Sequence, residues 1–179
     1  MKKMVRKKKI LWIAAIVALI LAAIPVINFL INYQYEPKGM VANRTFVSYS
    51  DLFFDYEITR YPSSVEVAPV QEQEKLLLGI SADPWNLNFG IIPAGKNFGK
   101  RFVSLVNLKE KDVKIVLKAW GNISSFVKFN KNNFILHPKE NVTVEVGFYA
   151  EGAEVGNYTG VIDVVVQKPK YDFIYSFWR

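Results

Sequence analysis

The sequence contains no cysteine and only one histidine, His137, among its 179 residues. Without cysteine the chain has no disulfide, no cysteine nucleophile and no thiolate ligand for zinc. A single histidine also excludes a metal site with two histidine ligands. His137 precedes Pro138 and has no partner that its spacing indicates, which favours an exposed loop position without a catalytic role.

The chain also lacks a basic surface outside its first nine residues. Lysine and arginine total 23 against 16 acidic residues, a formal net charge of +7. Six of the cations precede residue 10, so the rest of the chain carries 17 positive and 16 negative charges. A nearly neutral body does not offer the basic face that phosphate contacts require, and no nucleic-acid partner is expected.

A long apolar run follows the basic tail of residues 1–9. Residues 10–27 contain no polar side chain, and the run continues to residue 32. As a helix this stretch of 23 residues spans about 35 Å, enough to cross a hydrocarbon core of about 30 Å. Trp12 near one end and two tyrosines beyond the other match the aromatic rings found at membrane interfaces. The run therefore predicts a transmembrane helix over residues 10–32, with the lipid bilayer as its partner.

A cleavable signal peptide is the alternative interpretation of this run. Signal peptides have an apolar region of about 7 to 15 residues that ends in a small-x-small site. Here the apolar sequence is longer and continues past the weak site at residues 22–25. We therefore expect a single-pass anchor in the cell membrane. The cations keep the N-terminus cytoplasmic, and residues from about 36 onward are exported.

Four Asn-x-Ser/Thr triplets follow the predicted anchor and are candidate glycosylation sites: Asn43, Asn122, Asn141 and Asn157. With 13 asparagines and 13 serines and threonines in the chain, chance predicts about one. The excess favours an external, glycosylated surface. The alternative is that asparagine and threonine are frequent in turns and strands.

Residues 33–75 form a membrane-proximal segment rich in aromatic residues. The segment is too apolar for a pure linker, and we expect one or two strands that pack on the main domain. From residue 76 to 168 a period of two dominates, most clearly over residues 113–119, 142–150 and 162–166. Turn-forming clusters separate six or seven short strands. The predicted fold is therefore mainly β, an immunoglobulin-like antiparallel sandwich.

Three stretches within residues 77–167 carry a resemblance to a known family. They are Leu87-Asn-Phe-Gly90 with Ile92-Pro-Ala-Gly95, a strand that ends at Asn107, and Pro138 followed by an alternating strand to Phe148. The stretch Gly156-Asn-Tyr-Thr-Gly160 adds a turn before the final strand. The set resembles Hydin-type, major-sperm-protein-like immunoglobulin-like domains. The resemblance implies an adhesion, scaffold or assembly module, and fold signatures of this kind say little about activity.

Two groups of acidic residues are candidates for chemistry. The first is Asp51, Asp55 and Glu57, and the second is Glu151 with Glu154 in a glycine-rich loop. Paired carboxylates could hydrolyse glycosides, and with loop carbonyls they could hold calcium. Neither group has a recognised ligand spacing, so we expect solvated loops, with weak calcium binding the alternative for Glu151 and Glu154. No catalytic residue, metal or cofactor is expected.

The aromatic tail, residues 169–179, ends the chain. As a strand it would place four aromatic side chains on one face and a fifth on the other: Tyr171, Phe173, Tyr175, Phe177 and, opposite them, Trp178. Such a strand either completes the protein's own sheet or binds another subunit. The function expected overall is non-enzymatic: a membrane-anchored structural, adhesion or assembly module of the cell envelope or a surface appendage. Its partners would be other envelope or membrane proteins, or further copies of itself. An accessory subunit of a larger membrane complex is the alternative.

Overall fold

The computed structural model of the chain describes residues 12–19, 23, 37, 39, 41–69 and 86–176. The chain divides into two compact units, Met1–Lys38 and Gly39–Arg179. In the first unit residues 12–19 are helical and expose their side chains, and the rest of the predicted 10–32 helix, residue 23 excepted, lies outside the described residues. Within the described part of the chain, no helix has the length and apolar character needed to span a membrane.

The second unit is mainly β, as the alternation predicts. Its strands are β1 (Thr45–Ser50), β2 (Phe54–Ala68), β3 (Leu87–Pro93), β4 (Phe98–Val106), β5 (Val113–Gly121), β6 (Val127–Phe129), β7 (Phe134–Leu136), β8 (Asn141–Tyr149) and β9 (Gly156–Pro169). The three strands with the clearest alternation, β5, β8 and β9, lie where the sequence predicts them.

The larger sheet has the strand order β1-β2-β9-β5-β7, with β3 beside β2. Every pairing in it is antiparallel except that of β2 with β3, which is parallel. The expectation of a purely antiparallel fold is therefore wrong at this one pair. Parallel neighbours require a long connection, and residues 69–86 separate these two strands.

β2 shows that residues 33–75 contribute a central strand to the larger sheet. Its 15 residues pair with β9 along nearly their whole length. On the other side, residues 55–60 pair with β1 and residues 63–68 pair with β3. Pro62 lies between those two pairings. Its missing backbone N–H therefore costs no ladder hydrogen bond to β1 or β3.

The smaller sheet has the order β4-β8-β6, and its inner face meets that of the larger sheet across one hydrophobic core. Phe148 of β8 is fully buried and lies 6.0 Å from the ring of Phe89 and 5.7 Å from that of Phe126, centroid to centroid. Tyr158 of β9 completes the aromatic group, 5.9 Å from Phe148. Two antiparallel sheets around one core are consistent with a β-sandwich.

Candidate interaction surfaces

Three of the C-terminal aromatic residues, Tyr171, Phe173 and Tyr175, lie in or next to a helical turn rather than in a strand. Asp172–Tyr175 is one helical turn, closed by hydrogen bonds from the N–H of Ile174 to the carbonyl of Tyr171 and from the N–H of Ser176 to that of Phe173. The strand interpretation therefore does not hold for residues 172–175, and in the helical turn Ile174 is buried while Tyr171 and Phe173 stay exposed. The rings of those two residues stack, with centroids 5.8 Å apart. Phe177 and Trp178 lie outside the described residues.

These rings belong to an exposed apolar group, here named the end cluster: Leu52, Phe53, Tyr171 and Phe173. The turn between β1 and β2 supplies the first two residues, and the segment after β9 supplies the others. The N–H of Lys170 donates to the carbonyl of Phe53 over 2.8 Å, which joins the two segments. Exposed large apolar groups of this kind mark protein or membrane contacts more often than isolated residues do.

A groove of about 710 Å³ lies next to the end cluster, between the β4–β5 loop and the C-terminal turn. The ammonium group of Lys111 pairs with Asp172 and lies 5.5 Å from the centre of the Tyr175 ring. Burial raises the pKa of the Tyr175 hydroxyl. The groove is open and its lining includes the ion pair of Lys111 with Asp172, so it differs from the enclosed pockets that are typical of reaction sites.

His137 lies at the rim of this groove, with 67% of its side chain exposed. Its Nδ1 is 2.9 Å from Oδ1 of Asp112, and its backbone N–H donates to Oε2 of Glu140 over 2.7 Å. Asp112 is thus the partner that sequence spacing did not indicate. Both contacts hold the turn around Pro138 in place.

The acidic residues Asp51, Asp55 and Glu57 serve local structure. Oδ1 of Asp51 accepts the backbone N–H groups of Phe53 and Phe54, at 2.8 and 2.7 Å, and so closes the β1–β2 turn. Asp55 accepts the Ser50 hydroxyl at 2.6 Å, and Glu57 pairs with Lys168. These three carboxylates therefore already have partners.

Glu151 and Glu154 lie exposed in the β8–β9 loop. The backbone carbonyl of Glu154 accepts the Tyr158 hydroxyl at 3.0 Å. Across the described ranges, no three histidine or acidic side chains are grouped closely enough to hold a metal ion. The calcium alternative for this loop thus finds no cluster to support it.

The four candidate glycosylation residues all lie exposed in the second unit. Asn43 precedes β1, Asn141 begins β8 and Asn157 lies near the start of β9. Asn122 differs because its side chain is part of a turn: its Oδ1 accepts the N–H of Thr159 at 2.6 Å. Thr159 is itself the hydroxyl residue of the Asn157 triplet, so these two sites adjoin.

A buried charged group on the outer face of the larger sheet was not predicted. Asp163 of β9 is 0% exposed, and its register neighbours are Arg60 of β2 and Lys118 of β5. The Nε of Arg60 lies 3.2 Å from Oδ1 of Asp163, and the indole Nε1 of Trp120 donates to its Oδ2 over 3.0 Å. The available signal in the sequence was an acid within the apolar run of residues 161–166.

Burial acts against the charges of this group. It raises the pKa of Asp163, although the Arg60 guanidinium and the Trp120 hydrogen bond oppose that shift. Burial likewise lowers the pKa of Lys118, against the attraction of Asp163. Such a network fixes the register of three neighbouring strands because each charge is satisfied only when its neighbour is opposite.

No protein-family model matches this chain, and no curated protein matches it either. The resemblance to Hydin-type domains therefore stays a prediction. Among its own surfaces, the end cluster joins exposed aromatic residues from two segments that are distant in sequence.

Proposed function

We propose that this chain is a non-enzymatic, membrane-anchored assembly or adhesion module whose β domain lies outside the cytoplasm. The observation that carries the proposal is the end cluster, in which two segments distant in sequence, around Phe53 and Tyr171, place apolar side chains together in solvent. Aromatic residues of this kind are enriched in the cores of protein interfaces. The carboxylates of Asp51, Asp55, Glu57 and Asp163, in contrast, take part in turn hydrogen bonds and ion pairs.

Membrane anchoring is proposed from the sequence of the first 32 residues. Eighteen residues without a polar side chain follow six cations, and the cations favour a cytoplasmic N-terminus. The four exposed Asn-x-Ser/Thr triplets beyond the run support an external β domain. The alternative function, an accessory subunit of a larger membrane complex, requires the same anchor and the same orientation.

An immunoglobulin-like sandwich of the Hydin type is the fold we propose for the β domain. Two of the residues that carry the resemblance, Gly90 and Gly95, have φ of 74° and 92°, a backbone conformation that favours glycine. Asn107, at the end of β4, is buried and bonds to two loops. These features support the family pattern through its turns and give no indication of a chemical activity.

Single cysteines test the orientation, because the chain has none of its own. We expect Ile91→Cys, at an exposed position outside the end cluster, to react with a membrane-impermeant maleimide in intact cells. Val5→Cys, in the basic tail, serves as the matched control and should react only after permeabilisation. Labelling of Val5→Cys alone in intact cells would overturn the proposed orientation.

Co-purification tests the assembly role. The full chain is extracted from its native membranes in mild detergent, and its native mass and partners are determined. Phe173→Ser should reduce association, whereas Ile91→Ser, an exposed apolar residue of β3 outside the end cluster, should not. A stoichiometric complex with other membrane subunits would favour the accessory-subunit alternative. A chain that stays monomeric in both backgrounds would contradict an assembly role.

A further inference from the structure

The nine-residue strand β4 is an edge of the smaller sheet. Within the part of the chain that the structure describes, it pairs with β8 along all nine positions and with no other strand. It contains no proline and no bulge in its register. Long, regular edges of this kind recruit further strands unless they are interrupted or covered.

Three hydrogen bonds at the ends of β4 show which of its backbone groups face outward. The carbonyl of Asn97 accepts the N–H of Ala150, while Asn107 donates to Glu140 and accepts from Lys139, all toward the β8 side. Backbone groups of successive residues point to opposite sides of a strand. The odd-numbered residues of β4 therefore bond to β8. The even-numbered residues direct their N–H and C=O groups to the open edge: Phe98, Lys100, Phe102, Ser104 and Val106.

The same residues place large apolar side chains on the outer face of the sheet. Phe98, Phe102 and Val106 are all at least half exposed, and Phe102 reaches 63%. Between them lie Lys100 and Ser104. The sequence of this edge is thus nearly symmetric about Phe102, with one apolar residue four positions away on either side.

We propose that β4 pairs with β4 of a second copy, antiparallel and centred on Phe102, so that two three-stranded sheets become one of six strands. This inference rests on the proposed assembly function and names one partner for it. The two-fold axis places Phe102 opposite its own copy and Phe98 opposite Val106 of the second copy. Aromatic and β-branched cross-strand pairs stabilise such ladders, and a self-complementary patch suits a closed dimer.

Charge and the cross-strand side-chain pairs favour this register over the neighbouring registers. Lys100 faces Ser104 of the second copy, and its own charge is already paired with Glu145 at 2.8 Å on β8. A register shifted by two residues toward the start of β4 would be centred on Lys100 and would place two ammonium groups opposite each other, which is unfavourable. A shift of the centre by one residue, to Arg101, would place Lys100 opposite Phe102 and Phe98 opposite Ser104, so the apolar cross-strand pairs would be lost.

Arg101 is the residue that the pairing must displace. Its Nη1 donates to the outward-facing carbonyl of Lys100 over 3.1 Å, and its Nε donates to the carbonyl of Asn88 in β3 over 2.5 Å. The first bond covers one acceptor of the open edge, and strand pairing exchanges it for a backbone bond. The second bond can remain, since it lies toward the other sheet.

Cysteine cross-linking of the full chain in mild detergent tests the register. Residues opposite each other in a hydrogen-bonded antiparallel pair have Cα atoms about 5.5 Å apart, within the range of a disulfide. We expect Phe102→Cys to give a covalent dimer on mild oxidation and Phe98→Cys alone to stay monomeric. The double variant Phe98→Cys with Val106→Cys should cross-link again. Phe173→Cys, with a similar exposure of 59%, is the matched control.

Absence of cross-linking by Phe102→Cys, or cross-linking of Phe98→Cys and Phe173→Cys to the same extent, overturns the inference. A second variant separates folding from pairing: Ser104→Pro removes one outward N–H and leaves the bonds to β8 intact, while Ser104→Ala keeps that N–H. We expect the proline variant to fold and to lose the dimer, and the alanine variant to retain it. A dimer that survives Ser104→Pro contradicts edge pairing. Association through other partners, with no cross-link at residue 102, would overturn the inference and leave the proposed function standing.

Discussion

The indole Nε1 of Trp120 lies 3.0 Å from Oδ2 of Asp163 and donates a hydrogen bond to it. Trp120 is on β5 and Asp163 on β9, and Arg60 on β2 approaches the same carboxylate from the other side. Three adjacent strands of the larger sheet are thus joined by side chains as well as by their backbone ladder. The carboxylate is fully buried, so its protonation is coupled to folding.

The buried Asp163 gives the β domain a specific pH dependence. Its pKa is raised above 3.8 in the folded state, chiefly by burial, so the folded protein binds this proton more tightly than the unfolded chain does. The resulting stabilisation is present below the unfolded value and is lost as the pH rises through the folded pKa. We therefore expect the difference in unfolding free energy between the wild type and Asp163→Asn to decrease as the pH rises from the unfolded to the folded pKa of Asp163. Denaturant titrations at several pH values measure it.

Asp172→Asn is the control for this measurement because Asp172 forms an exposed ion pair with Lys111. Exposed pairs contribute little to stability, so this change should leave the unfolding free energy nearly unaffected. A wild-type advantage over Asp163→Asn that grows with pH would contradict the assignment. It would mean that attraction by Arg60 outweighs the cost of burial.

Asn107, the residue that follows β4, joins the β4–β5 loop to the end of β7. Its Nδ2 donates to the carbonyls of Lys111 and Leu136, both at 2.9 Å, and its Oδ1 accepts the N–H of Lys109 at 3.0 Å. We expect Asn107→Ala to lower the unfolding free energy by about 2 to 3 kcal/mol, since it leaves buried backbone groups without partners. Thermal or denaturant unfolding measures the loss. Asn97→Ala, which removes one exposed hydrogen bond to Ala94, should cost clearly less, and equal losses would refute a special role for Asn107.

Gly160 permits the close approach of β9 to β5. A Cβ atom at this position would lie 1.9 Å from the carbonyl oxygen of Trp120 and 2.6 Å from Cγ2 of Ile123. Because the first of these is backbone, Gly160→Ala must move a strand, and we expect a loss of about 3 kcal/mol or more, or failure to fold. A Cβ atom at Gly99 would lie 2.7 Å from Cδ1 of Ile92, which belongs to a side chain. Gly99→Ala should therefore cost less. Nearly equal thermal midpoints for the two variants would contradict the close approach of Gly160 to the Trp120 carbonyl.

Alternation of apolar residues was sufficient to predict β5, β8 and β9, because each buries one face in the core. Alternation does not predict that β2 continues through Pro62. Proline interrupts a strand only where its N–H is needed, and Pro62 lies in the gap between the neighbours β1 and β3. No local sequence pattern predicts such a gap, because the gap is created by strands that are distant in sequence.

The surfaces were predictable only in part. The aromatic tail was predicted as a candidate interface, but the sequence does not show that residues 172–175 form a helical turn in which Ile174 is buried. Alternation places Asp163 on the face opposite Ile162 and Val164, but it does not show that both faces of the strand are covered. The partner of His137, Asp112, comes from a loop 25 residues earlier, a distance over which sequence spacing carries no signal.

The adjoining triplets at Asn122 and Asn157 give a paired test of glycosylation and structure. If the β domain is external and modified, each Asn→Gln change at an occupied site should lower the mass of the protein by one glycan. Asn122→Gln should also lower the thermal midpoint, because Oδ1 of Asn122 accepts the N–H of Thr159 at 2.6 Å and the longer side chain misplaces that acceptor. Asn157 takes part through its backbone carbonyl, which accepts a hydrogen bond from Nδ2 of Asn122. Since Asn157→Gln keeps that carbonyl, it should keep the wild-type midpoint. Intact-mass analysis and thermal unfolding of both variants, expressed in the native host, separate the two effects. Equal loss of stability would refute the structural distinction, while unchanged mass for all four sites would refute glycosylation.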